Sequence, residues 1–431
     1  MKFRAAFIRS LFLTGLAVTA LYAQSSPLIM RHADNLNVSD KSSHLLLNGK
    51  VFFTHDSITF RTDRAVWDRG LDLVQCDGGF LFTHPSGFIK AQSGTYRKRI
   101  QVATAAGDVV AKDSAGSYAM FGQFLTYDRI KEYLTIPDRP VLHQYEKHKD
   151  GTVDTVSIKA QYMTYDKKND FAQAFRNVVA SQKGYTVTCD TGYFDKKHSW
   201  IALKGHPRCV MDGYILTGDS MYLVLDIEKR TLRSALVIRN AHGTQHEKGA
   251  SGKPDQYTEA FGDTLYAEFK DDKPVKLYVN LNAHGLFYED DLEAYKNTMD
   301  GNRLDLAFLQ GKLSRAVVAG NAQSTYYYVK TDRTLSGKNE SAGDTIHITF
   351  NDSKVKHLKL SGTSTLSSGR YFDLEKQHIQ GKLKTAMADT SAAKRGSAAS
   401  KSAAPAAGVK ASGETQNRSG AKFFRKKGKA K

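Results

Sequence analysis

No GxSxG elbow, P-loop, GxGxxG turn or CxxC pair occurs in the 431 residues. Serine hydrolysis on a nucleophile elbow, nucleotide binding through a glycine loop and dithiol redox chemistry therefore have no motif to rest on. The fourteen histidines are scattered without metal-ligand spacing, and His246-Glu247 lacks the second histidine of a zinc helix. No enzyme activity, metal or cofactor is expected. Long apolar runs are also missing. Leu11 to Leu21 is too short for a bilayer span, which needs roughly 20 apolar residues. Cysteine is scarce: Cys76, Cys189 and Cys209 are an odd number.

What precedes and follows that short run explains it. Lys2, Arg4 and Arg9 lead into it, and it ends at Leu21-Tyr22-Ala23. This is the pattern of a signal peptide over residues 1–23, cleaved before Gln24, with an uncleaved anchor as the alternative. No cysteine lies at that junction, so lipid attachment is not expected. The formal charge of +18 is unevenly spread. Residues 382–431 hold thirteen Lys/Arg and two Asp/Glu, a net of +11, and the signal region adds +3, leaving +4 for the rest. The tail is Ala, Ser, Gly and Lys with too few apolar side chains to fold, and it ends in a basic cluster. It reads as a solvated disordered segment, or as an attachment to an anionic envelope surface. Export disfavours nucleic acid as its partner.

Between these ends a two-residue motif recurs ten times. A small residue precedes Asp, Asn or Gln at Ala33-Asp34, Thr62-Asp63, Ala91-Gln92, Gly122-Gln123, Ala160-Gln161, Cys189-Asp190, Gly218-Asp219, Gly262-Asp263, Gly301-Asn302 and Gly343-Asp344. The steps run from 29 to 44 residues. Such a period means one supersecondary unit stacked many times. One elongated domain of about ten units is expected over 28–376. Residues rich in Tyr, Phe, Val and Thr alternate with period two, and two sets of polar turns alternate along the chain. Each unit is therefore two antiparallel strands. A second marker follows the small residue by sixteen positions: Gly49, Gly78, Gly107, Asp138, Arg176 and Gly205; later Gly320 and Gly362 follow by nineteen.

The first strand of each unit changes face at the motif. Apolar residues fall at even offsets before the small residue, as in Ile58 and Phe60. They fall at odd offsets after it: Val38, Trp67, Tyr96, Tyr127, Tyr165, Phe194, Leu223, Ala267, Leu306 and Ile348 occupy offset five. A slip of one residue flips a strand's faces. Its recurrence predicts a bulge or corner at the small residue, where the acidic side chain can bond freed backbone groups. The fold expected is all-β: an elongated antiparallel β-jellyroll, a V-shaped stack of bent hairpins in which two sheets meet along a row of corners. The longer intervals, at about 146–156, 243–258, 285–299 and 331–342, all follow second strands and should lie at one rim. All three cysteines face inward. With the turn centred near residue 197, Cys189 should oppose Gly205 and lie roughly 13 Å from Cys209, too far for a bridge.

The inner faces are lined by Phe60, Trp67, Phe80, Tyr96, Val109, Tyr127, Ile158, Tyr165, Val178, Val187, Phe194 and Leu216. Two readings stay open. If the V closes, these residues are an ordinary core. If its faces stay apart, they line a continuous groove for something long and apolar.

A small residue and Asp, then an aromatic-Asp strand end, then Gly-x-Val, resembles the OstA-like repeat of the lipopolysaccharide-transport proteins. Ala33-Asp34 with Gly49-Lys50-Val51, and Ala160-Gln161 with Tyr165-Asp166 and Asn177-Val178, carry the resemblance. It covers most of 28–235 well and 258–370 more loosely. It implies a periplasmic β-jellyroll, associated with the outer membrane, whose groove shields acyl chains of lipopolysaccharide or a related amphiphile. It also implies edge-to-edge joining with like domains. The body is longer than a single bridge domain of that family, and no β-barrel pattern follows it. The alternative expectation is a structural or carbohydrate-facing β-solenoid of the envelope without lipid transport.

Overall fold

The computed structural model describes residues 26–375, apart from 40–42, 148–150, 227–230, 252, 272, 331, 352–353 and 363–366. The signal peptide, the basic tail and residue 376 of the expected domain lie outside the described residues. The body, to Phe372, is one unit; of a second unit beginning at Asp373, only residues 373–375 are described.

Twenty-six strands hydrogen-bond antiparallel into one continuous sheet. The fold class is all-β, as the alternation implied. The sheet is folded lengthwise into two walls. Wall I carries the strand halves joined by turns such as Asp56-Ser57, Lys183-Gly184 and Asp212-Gly213; wall II carries those joined by 69–72, 98–101, 129–132, 167–170 and 196–199. Some long strands are interrupted at the fold line, as Tyr133–Pro137 and Val141–Lys147 are. The wall II turns explain their recurrent aspartate. Asp68, Asp128, Asp166 and Asp195 each accept the backbone N–H three residues on, at 2.9–3.0 Å.

The corner lies in the other strand of the unit from the one expected. Between the pairs Asn48↔Arg64 and Val51↔Thr62, two residues, Gly49 and Lys50, oppose the single Asp63. Both have positive φ, 79° and 46°. The same left-handed pair recurs at Gly78-Gly79, Gly107-Asp108, Asp138-Arg139, Arg176-Asn177, Gly205-His206, Arg239-Asn240, Leu281-Asn282 and Gly320-Asn321. Two left-handed residues turn the strand through the fold line and supply the one-residue slip. The motif aspartate sits across from this pair. Its backbone N–H meets the pair's first carbonyl, as in Asp34 to Gly49 at 2.9 Å and Asp219 to Arg239 at 3.0 Å. At Gln92, Asp219 and Asp263 the motif side chain bonds the side chain of the second residue of the pair. Asn240 donates to Asp219 at 3.0 Å, and Gln92 donates to Asp108 at 2.7 Å.

The small residue of the motif has another cause. It faces the inside of the fold line, where the opposite wall approaches closely. A Cβ on Gly218, Gly262 or Gly301 would overlap Val237, Val279 or Val318. Glycine in the corner itself answers to both space and φ. A Cβ on Gly205 would overlap the Asp190 carboxylate, whereas Gly184, equally left-handed, has nothing nearby. Gly205→Ala is expected to cost about 2–4 kcal/mol, strain plus overlap, against about 1–2 for Gly184→Ala. Urea midpoints of the two variants check this.

Two core clusters fill the fold. One spans Leu28 to Ile136 and the other Ala160 to Phe350. In the first, the walls are shut. Phe53 stacks on Phe60 at 4.9 Å, and Trp67 meets Phe53 edge-on at 5.4 Å. The outer edges are latched. His55 on wall I hydrogen-bonds the Tyr96 hydroxyl on wall II at 2.6 Å, and Arg129 donates to Asp56 at 2.9 Å. Burial holds the His55 pKa below its ordinary 6.5. The unfolded chain therefore binds more protons than the folded one just below pH 6.5, and stability falls as pH drops from there. The urea midpoint should decrease from pH 7.5 to pH 5. It should decrease less in His55→Gln, with half-buried His84, shifted the same way, supplying the remainder.

The insertions do fall at one rim. They lengthen wall I to strands such as Thr231–Glu247, Lys273–Glu289 and Lys312–Val329, and add the 3-10 turn Asp290–Tyr295.

Candidate functional site: an apolar cleft in mid-stack

The offset-five residues form one ladder row along wall II. Register pairs link Val38, Leu45, Trp67, Val74, Tyr96, Ala103, Tyr127, Leu134, Tyr165, Ala172, Phe194, Ile201 and Leu223 in succession. The row continues through Ala267 and Leu306 to Ile348. A matching row runs along wall I. It links Phe53, Phe60, Phe82, Ile89, Ala111, Met120, Leu142, Ile158, Ala180, Val187, Cys209 and Leu216. Val109, Val178 and Phe80 belong to the next row inward, beside the fold line.

Exposure changes along these rows. Phe60, Phe80, Tyr96, Val109, Tyr127, Val178 and Leu216 are buried, Phe60 and Tyr96 completely. Ile158, Tyr165, Val187 and Phe194 are partly exposed, and so is Trp67 at the other end. On wall I the exposed stretch runs over five consecutive strands, Met120, Leu142, Ile158, Ala180 and Val187, and burial returns at Cys209. On wall II it runs over Leu134, Tyr165, Ala172, Phe194 and Ile201, and burial returns at Leu223. Both walls lose cover at the same place, while Met163, Ala174, Val178 and Cys189 beside the fold line stay buried. Where a groove is expected along the whole body, the first units hold a closed core and the middle holds a shallow apolar cleft whose lining is half-buried. The physical reason is the wall-to-wall latch. Where His55, Tyr96 and the phenylalanine stack fill the gap, no space is left.

The cleft mouth has a charged edge, four lysines set among Asp166, Asp170, Asp195 and Glu132. Lys167-Lys168 and Lys196-Lys197 occupy the two wall II turns beside Tyr165 and Phe194. Lys167 pairs with Glu132 at 3.3 Å and Lys196 with Asp170 at 3.5 Å, while Lys168 and Lys197 are exposed. Lys196 also lies over the Tyr118 ring of wall I at 5.7 Å, spanning the mouth. Burial and the Asp170 carboxylate, which accepts the Tyr165 hydroxyl at 2.8 Å, push that phenol up. It stays neutral. In the sequence the lysines stand out only as two successive Lys-Lys turns, at 167–168 and 196–197.

The cysteines are buried free thiols. Cys209 opposes Val187, and Asp190, not Cys189, reaches Gly205, one position off the expected register because the left-handed pair adds a residue. Burial pushes Cys76 up to about 12 and both Cys189 and Cys209 up to about 11. They act as small apolar side chains in the fold. The motif carboxylates lie on the outer side of the fold line, away from the cleft.

No protein-family model matches the chain, and no curated protein matches it. Among solved structures, it is similar to LptH of Pseudomonas aeruginosa, described as the LptA-homologous periplasmic component of the lipopolysaccharide transport device. That similarity has 15% identity and a TM-score of 0.24, and covers 32% of this chain and 82% of that one.

Proposed function

We propose that the chain is a non-catalytic carrier of an anionic amphiphile, lipopolysaccharide or a relative of it, in a periplasmic bridge to the outer membrane. One observation carries the reading: two facing apolar rows become exposed together over five strands, under an edge of lysines. Acyl chains in the cleft would leave water, at about 0.8 kcal/mol per methylene. Phosphates or carboxylates at the head would meet Lys168 and Lys197. The OstA-like character of the repeat supports the same class of cargo. The first strands support joining to like domains. Asn35–Ser39 is an edge strand carrying exposed Leu36 and Val38, which continue the inner rows to an open end.

Photo-crosslinking tests the reading. A benzophenone side chain at Tyr165 or Phe194 is expected to capture lipopolysaccharide, and one at Lys159, on the outer face, is not. Capture from Lys159 alone would remove the cleft from the function.

A further inference from the structure

The insertions at 243–258, 285–299 and 331–342 bring their tips together over a cavity well apart from the cleft. Its volume is about 80 Å³, room for on the order of six waters, which is comparable to one sugar ring. The floor is aromatic and apolar. Phe287 stacks with Tyr326 at 6.3 Å, and buried Leu313 of wall II lies beneath.

The rim is polar and nearly neutral. Glu247 pairs with Lys312 at 3.5 Å and Glu289 pairs with Arg333, so an incoming anion finds both cations already engaged. The inward row of wall I changes character here, from Gly243, Ala260 and Gly285 to Gln245, Thr258 and, past Phe287, Asn297. An acyl chain would bury these amides and hydroxyls without partners, so the cavity disfavours the cleft's cargo. Gln245 shows what is missing. Its Nε2 donates to the Gly311 carbonyl at 2.6 Å, which fixes the amide's orientation. Its Oε1 is then buried without a hydrogen-bond donor among the described residues. An orphan acceptor of this kind is costly until a donor arrives.

We propose that this cavity binds one ring of a neutral, polyhydroxylated saccharide. Its C–H face rests on the aromatic floor and exposed Tyr295, and its hydroxyls donate to Gln245 Oε1 and exchange hydrogen bonds with Gln256, Glu247 and Glu289. A free glycan and the sugar portion of a glycolipid share this chemistry.

The full chain is applied to an array of neutral and acidic oligosaccharides. Retention of a neutral subset is expected, and retention of acidic glycans alone, or of none, overturns the proposal. With the best-retained glycan, calorimetric titration of Gln256→Ala and Tyr295→Ala should show affinity about tenfold weaker in each, as loss of one hydrogen bond or one stacking surface implies. Thermal unfolding of both should stay near wild type, because Tyr295 is exposed and Gln256 lies at the rim. Unchanged affinity in both variants overturns the site. Phe194→Asp in the cleft should titrate as wild type, and loss of glycan binding there would assign the sugar to the cleft instead. The same glycan released from a lipid should compete fully with the glycolipid form; failure to compete would mean that the lipid is what is bound.

Discussion

Phe60→Ala is expected to lower unfolding free energy by about 3–5 kcal/mol, the largest stability loss of any single truncation proposed for this chain. The ring is wholly buried, with Phe53, Phe80 and Tyr96 around it at 4.9, 6.3 and 5.4 Å. Removing it leaves a void that the latched walls cannot collapse to fill. A urea titration followed by tyrosine fluorescence measures the loss. The same residue should give no lipid crosslink when it carries a photoreactive side chain that is tolerated. Phe60 looks identical to Phe194 in the sequence pattern, since both point inward from a strand. A small stability change at Phe60 would mean that the first units are open in solution and that the groove runs further than the cleft.

Phe194→Asp should do the reverse. Phe194 is partly exposed and pairs with Ala172 and Ile201, so its exchange should cost stability only on the order of 1 kcal/mol. A carboxylate in the middle of the apolar row would have to be desolvated beneath an acyl chain and would repel an anionic head. Retention of lipopolysaccharide by the purified chain should therefore fall by about tenfold or more. Co-purified lipid quantified by mass spectrometry reads this directly. Lys168→Glu with Lys197→Glu should lower retention more at low than at high salt, which separates head from chain contributions. Wild-type retention in Phe194→Asp would leave the cleft without cargo.

Much of this was legible from the residues. The ten offset-five side chains, from Val38 to Ile348, are one hydrogen-bonded ladder row, because a period of two and a hairpin repeat together leave little choice of register. The corner was legible only as a slip. A face reversal shows that one residue has been added per unit, but not which of two paired strands holds it. Gly49, Gly78, Gly107, Gly205 and Gly320 marked the right strand through their need for positive φ. Arg239-Asn240 and Leu281-Asn282 adopt the same conformation with no glycine, so the pattern passed them over. The cleft itself could not be read. Whether Phe60 or Phe194 sees water depends on the separation of the walls, and contacts such as His55 with Tyr96, 41 residues apart, decide that. Local alternation carries no information about them.

The shut first cluster also bears on traffic. A tube open from end to end would let a guest slide straight through. Here one end of the cleft is stoppered by the Phe53–Phe60–Tyr96 plug, whereas just beyond Cys209 a small apolar cavity lies between the walls, lined by Met211, Leu216, Ala260, Leu277 and Leu306. On the proposed reading the cleft is a berth of five strands, about 19 Å along the stack. A lipid of the proposed kind would enter sideways across the lysine edge or along the stack from that cavity, and past the plug only if a neighbour on the open edge strand pried it apart. The length of that berth then sets an upper limit on the acyl chains it can hold lengthwise.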